Sequence, residues 1–203
     1  MTPYVYQCLC FYKNQKKNPV SVVFVLIFFA FIYFKYPSSF ALEYLFLMLP
    51  IAYTQFSLSV YEEDFKSGMI DLSILKNRQI IPFLLQKNIF FSVLSIFLNL
   101  IISVVFKMMT PDVNQIVFFK LSTFMIIETF TFSLLILFLN FMLESRTIVQ
   151  YLSSIIGLAL AFFFIKYASP VNHFYKSLLL VGLLTILFFV MNILYIKKRY
   201  RLC

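Results

Sequence analysis

Residues 60–87, VYEEDFKSGMIDLSILKNRQIIPFLLQK, decide how this chain is read. They hold four of its eight acidic residues, Glu62, Glu63, Asp64 and Asp71, and one of its three glycines, Gly68. Long apolar runs flank them on both sides. A polar island between apolar runs of bilayer length is a loop that leaves the membrane, and the flanking runs are membrane-spanning helices.

Composition supports that reading. The chain has 203 residues, of which 62% are hydrophobic and 12% charged, with a mean hydropathy of +0.92. Soluble domains are about 45–50% apolar and about 25% charged. A soluble fold has nowhere to put the excess, because its surface must be polar. At about 20 apolar residues per crossing, the length allows six or seven spans and no separate soluble domain.

The spans fall at about 20–36, 40–60, 81–106, 116–139, 148–165 and 177–196, in one transmembrane domain covering 1–203. Pro19 suits the first turn of span 1. Lysines, an apolar run and Ser39-Phe40-Ala41 imitate a cleavable leader. The apolar run is long for one and the small-residue site falls late, so the expectation is a retained span. Residues 1–18 place Tyr4, Val5, Leu9, Phe11 and Tyr12 ahead of Lys13, Lys16 and Lys17. This suits an interfacial helix on an anionic leaflet, and equally a basic flank of span 1.

Charge orients the spans. Of 17 Lys and Arg residues, twelve fall at the termini, in 61–87 and in 140–147, which six spans place on one side. The other side keeps Lys35, Lys107, Lys120, Lys166 and Lys176. The positive-inside rule then puts both termini and the 61–87 loop in the cytoplasm, or in the matrix of an organelle. The formal charge of +9 is explained by this bias, and no nucleic-acid partner is expected. Cys8, Cys10 and Cys203 lie at the two ends on the reducing side, where disulfides are not expected. Cys8-x-Cys10 lacks zinc spacing, and no metal site is expected. Abundant Phe, Tyr, Ile and Lys with no Trp fit an AT-rich genome. The expected location is a bacterial inner membrane, with the mitochondrial inner membrane as the alternative.

Within the loop, Tyr61, Phe65, Leu72 and Leu75 fall at helical spacing, with Gly68 at the missing position. Gly68 breaks the pattern, so span 2 runs on to about residue 67 and a short second helix follows. Asp71 lies in its first turn, where its charge suits the helix dipole. Glu62, Glu63 and Asp64 cluster where the positive-inside rule favours bases. They read either as a docking surface for basic residues of a soluble partner, or as a solvated loop that stops span 2.

The order of these residues resembles the coupling region of the haem exporter protein B family (CcmB), membrane subunits of the cytochrome c maturation ABC transporter within the ABC-2 permease group. The matching positions are Tyr61, Glu63-Asp64, Phe65, Gly68, Ile70, Asp71, Ile74 and Leu75, with Lys87 as the lysine that opens span 3. The likeness covers about 28 residues; elsewhere it rests on length, six-span layout and short loops. The family's proline-rich helix is reduced here to Lys76–Pro82 with a single proline. Its proline-bearing fifth span has Gly157 and Ala161 instead, and its Gly-rich fourth span is rich in Phe and Thr.

The resemblance implies an all-α ABC-2-type permease with a short cytoplasmic coupling helix between spans 2 and 3. A separate ABC ATPase subunit (CcmA-like) would hold that helix in a groove and hydrolyse the ATP. Other cytochrome c maturation membrane proteins and a haem chaperone would be partners, and the chain would pair as a homodimer among membrane lipid. The cargo would be haem, or the ATP would release a haem-loaded chaperone; this chain would bind no cofactor of its own. It is not itself expected to be an enzyme: with only Gly68, Gly157 and Gly182, no G-x-x-x-x-G-K-[ST] phosphate loop can be drawn. Two further readings stay open: another ABC-2 permease, exporting lipid, polysaccharide or drug, and an ATP-independent membrane assembly factor.

Four polar residues inside the spans need a reason. Glu128 sits near the middle of span 4, where a carboxylate costs at least about 2–3 kcal/mol. It reads as a contact for a substrate or a proton, or as a carboxyl bonded to Thr129, Thr131 or a neighbouring span. Gln55, Asn99 and Asn192 read as interhelical hydrogen-bonding groups. His173, the sole histidine, lies on an outer loop. It is a candidate haem-iron ligand or an ordinary interfacial side chain, and Met108-Met109 offer either a haem contact or packing at a membrane end.

Overall fold

The computed structural model describes residues 41–51, 80–143 and 145–200. They form a helical segment α1, Ala41–Ile51, and four long helices: α2, Ile80–Met109; α3, Gln115–Leu143; α4, Arg146–Tyr167; and α5, Phe174–Tyr200. No strand occurs among the described residues. Each long helix contains an apolar segment of 20 to 29 residues, long enough to cross a membrane. At 1.5 Å per residue, about 20 residues span the roughly 30 Å hydrocarbon layer. The chain is therefore a multi-pass membrane protein built from helices. Span 1 and the second half of span 2, from residue 52 on, lie outside the described residues.

The helices outrun the apolar windows expected from sequence. The inner loop expected at 140–147 shortens, because α3 continues to Leu143 and α4 starts at Arg146. The outer loops expected at 107–114 and 166–175 narrow to 110–114 and 168–173, and the last helix spans 174–200 rather than 177–196. The reason is physical. Hydropathy marks where the bilayer stops, whereas a helix ends where its hydrogen bonds fail. Pro111 offers no N–H and closes α2. Before it, Thr110 N–H still donates to Phe106 O at 3.0 Å. The Lys107 ammonium donates to the carbonyls of Thr110, Pro111 and Val113 in the loop that follows.

α3 is the central helix and packs against α2, α4 and α5. It is the most deeply buried of the four long helices. Cross-helix contacts fix directions. Asn88, Asn99 and Ser103 of α2 meet Ser133, Thr129 and Met125 of α3, so these two run antiparallel. Thr131, Leu134 and Phe138 of α3 meet Thr185, Asn192 and Tyr195 of α5, so those two run parallel. Loops 110–114 and 168–173 consequently share one rim, and the end of α3 and start of α4 lie at the other. Phe124 stacks edge-on against Phe164 of α4 at 5.0 Å, and Phe46 of α1 against Phe118 at 5.6 Å.

The polarity of α2 is inverted relative to a soluble helix. Its exposed stripe is apolar, with Ile89, Val93, Phe97, Ile101, Val104 and Met108 at spacings of three or four. Its buried stripe, at the same period, holds Asn88, Ser92, Ser95, Asn99 and Ser103. Hydrocarbon solvates the first, and hydrogen bonds to α3 satisfy much of the second. α5 likewise turns Leu179, Leu183, Ile186, Val190 and Leu194 outward.

Close approach, rather than backbone conformation, explains Gly157. A Cβ there would come within 2.9 Å of Ile51 Cγ1 and 3.0 Å of its Cδ1 and Cγ2, so the missing side chain lets α1 seat on α4. Gly182 has nothing within 4 Å of such a Cβ.

Candidate functional site

The coupling residues expected from sequence, Tyr61, Glu63, Asp64, Phe65, Gly68, Ile70, Asp71 and Leu75, lie outside the described residues, as does Gln55. The nearest described part of that region is the start of α2. There Lys87, eighth in the helix, is buried at 3% exposure. Its neighbour Asn88 pairs with Ser133 at about the same level, so Lys87 lies well inside the bundle, away from its rim.

The interior polar groups form a seam between α2 and α3. Ser133 Oγ donates to Asn88 Oδ1 at 2.6 Å. Ser92 Oγ lies 2.8 Å from both Asn88 O and Ser133 Oγ. About two to three turns further along, Asn99 Nδ2 donates to Thr129 Oγ1 at 3.2 Å, and Thr129 Oγ1 donates to Met125 O at 2.7 Å. Ser103 Oγ donates to Asn99 O at 2.7 Å and lies 3.6 Å from Met125 Sδ. On the other side of α3, Asn192 Nδ2 donates to Leu134 O at 2.9 Å. Asn99 and Asn192 thus bridge helices.

Glu128 is different. It is buried at 1% exposure, and neither carboxyl oxygen meets a donor among the described residues. The bonds to Thr129 or Thr131 considered from sequence are not made. Both hydroxyls are committed elsewhere: Thr129 to Met125 O and Asn99, Thr131 to Ile127 O at 2.9 Å and to Thr185 Oγ1 at 2.6 Å. A threonine hydroxyl on a helix bonds most cheaply to the carbonyl four residues back, which removes it from reach of a carboxyl on another face. Asn99 Oδ1, Asn192 Oδ1 and Ser122 Oγ are also buried without hydrogen-bond partners.

The rim carrying loops 110–114 and 168–173 has its own polar lock, centred on Glu43. This residue carries no signal beyond being an acid near the start of an apolar span, and its role was not legible in the sequence. Its carboxylate accepts the Ser169 hydroxyl at 2.5 Å and the Val171 backbone N–H. Ser169 Oγ in turn accepts Asn172 N–H at 3.3 Å, and Ser169 O accepts His173 N–H at 2.7 Å. One carboxylate from α1 therefore organises the whole α4–α5 loop. His173 itself is exposed on that loop. Among the described residues no group of three His, Cys, Asp or Glu side chains is placed to hold a metal ion. Met108 is exposed at the end of α2.

Comparison of the chain with protein families, with curated proteins and with solved structures finds no match in any of the three.

Proposed function

We propose that this chain is the transmembrane subunit of an ATP-driven ABC transporter complex for cytochrome c maturation, working with a separate ATPase to export haem or to release a haem-loaded chaperone. The observation that carries the reading is the residue order from Tyr61 to Lys87: acids, an apolar residue, Gly68, an apolar pair, Asp71 and a leucine-rich run, between two apolar spans. Such a joint lets a soluble motor pull on two membrane helices at once. A multi-pass helical body supports it, because force applied at the joint needs rigid levers. In this reading the chain has six spans in the ABC-2 arrangement and functions as a homodimer. Glu128 is then the interior group available to contact a cargo or a proton.

The test is affinity purification of the full chain in mild detergent. An ABC ATPase and haem-handling proteins should copurify. Glu63→Lys with Asp64→Lys, or Gly68→Leu, should lower the recovered ATPase about tenfold while the chain still inserts. Undiminished ATPase recovery in those variants would overturn the docking role. Copurification with a polysaccharide- or lipid-handling system would assign another ABC-2 permease. Recovery without any ATPase would assign an ATP-independent assembly factor.

A further inference from the structure

Among the described residues, four lysines lie on the side of the membrane that the positive-inside rule disfavours: Lys107, Lys120, Lys166 and Lys176. All four sit near the rim formed by loops 110–114 and 168–173. None forms an ion pair among the described residues. Lys107 and Lys120 have internal work. Lys107 satisfies three loop carbonyls. Lys120 reaches Val171 O at 3.5 Å and lies 6.0 Å from the Phe174 ring centroid.

Lys166 and Lys176 are exposed and converge on Tyr167. The Lys166 ammonium stands 5.1 Å from the Tyr167 ring centroid, and Lys176 Nζ donates to Tyr167 O at 3.4 Å. The position of Lys166 in the last turn of α4 suits the helix dipole. That of Lys176 does not: it occupies the first turn of α5, which contains no acid. There a cation faces the positive end of the helix. Tyr167 and Tyr175 beside it are 55% and 85% exposed, as aromatic side chains at a membrane–water boundary are.

We propose that Lys166, Tyr167 and Lys176 form a headgroup site for an anionic phospholipid of the adjacent leaflet, seated where α4 ends and α5 begins. The lipid phosphate supplies the negative charge that the two ammoniums lack. The acyl chains lie along the apolar outer face of α5, beginning at Leu179 and Leu183. The tyrosines sit at headgroup depth, with rings toward the chains and hydroxyls toward water. The site is independent of the transport reading, since it needs only the rim and the bilayer.

The test uses the purified full chain, delipidated in detergent and titrated with phosphatidylglycerol or phosphatidylcholine, with bound lipid counted by native mass spectrometry. Phosphatidylglycerol should bind preferentially. Each interfacial lysine is worth about fivefold in binding to anionic lipid. Lys166→Gln with Lys176→Gln should therefore weaken phosphatidylglycerol binding about thirtyfold, leaving phosphatidylcholine unchanged. Lys166→Arg with Lys176→Arg should keep the preference. Lys107→Gln should keep it too, because that ammonium already serves loop carbonyls. Equal binding of the two lipids by the unmodified chain would overturn the proposal, as would full phosphatidylglycerol binding by the double Gln variant. An acidic peptide that binds the chain through these lysines, with no lipid preference, would assign the site to a soluble partner and equally overturn it. Matching thermal stability of the Gln and Arg variants shows that any loss is not misfolding.

Discussion

Gly157→Ala tests the packing that seats α1 on α4. The added Cβ would meet three Ile51 carbons at 2.9, 3.0 and 3.0 Å, against ordinary carbon contacts of about 3.5–4.0 Å. Cγ1 and Cγ2 of a β-branched residue cannot swing clear without rotating χ1. The overlap must be relieved by moving one helix, at about 1–3 kcal/mol. Gly→Ala in a helix also gains up to about 1 kcal/mol from propensity. Gly182→Ala isolates that gain, because its Cβ meets nothing within 4 Å. The two substitutions should therefore differ by about 1–3 kcal/mol. At roughly 2–4 °C per kcal/mol for a chain of this size, that is about 2–12 °C in the midpoint of thermal unfolding in detergent. Ile51→Ala removes all three clashing carbons. In that background Gly157→Ala should behave like Gly182→Ala, although the background itself loses about 2–5 kcal/mol to the cavity. Equal midpoint shifts for Gly157→Ala and Gly182→Ala would refute the argument. So would a Gly157→Ala penalty that survives Ile51→Ala.

Other consequences follow from the polar interior. Glu128→Leu should stabilise the protein by about 1–3 kcal/mol, since it removes a buried carboxyl with no hydrogen-bond partner; the same variant should lose transport activity if Glu128 contacts the cargo. Asn99→Leu and Thr129→Val should each destabilise, and a double-mutant cycle should return a coupling of about 0.6 and at most about 1.7 kcal/mol for their 3.2 Å bond. Glu43→Ala should cost about 1–3 kcal/mol by orphaning the Ser169 hydroxyl and Val171 N–H. Amide hydrogen exchange should then accelerate at Val171 and His173 and stay unchanged in the 110–114 loop.

The apolar runs announced the membrane helices because the signal is local: about 20 hydrocarbon-compatible residues suffice to state a crossing. Residues 81–106 and 116–139 were legible for that reason, and their helices are present, extended mainly at their C-terminal ends. The polar stripe of α2 was legible in principle. Asn88, Ser92, Ser95, Asn99 and Ser103 recur at helical spacing inside an apolar run, a pattern that marks a buried face in lipid. Helix ends were less legible, because Lys107 and Thr110 prolong order past the hydropathy boundary by satisfying carbonyls that no window counts.

What the sequence determined alone is the class, a helical multi-pass membrane protein. What only the tertiary structure decided is partnership. Glu43 and Glu128 look alike in the sequence, each an acid inside an apolar run. Folding gives the first a hydroxyl 126 residues away and leaves the second with no donor among the described residues. Residue type sets what a side chain can bond. Which groups it meets depends on the rotation and depth of helices packed from distant segments, and no local pattern encodes either.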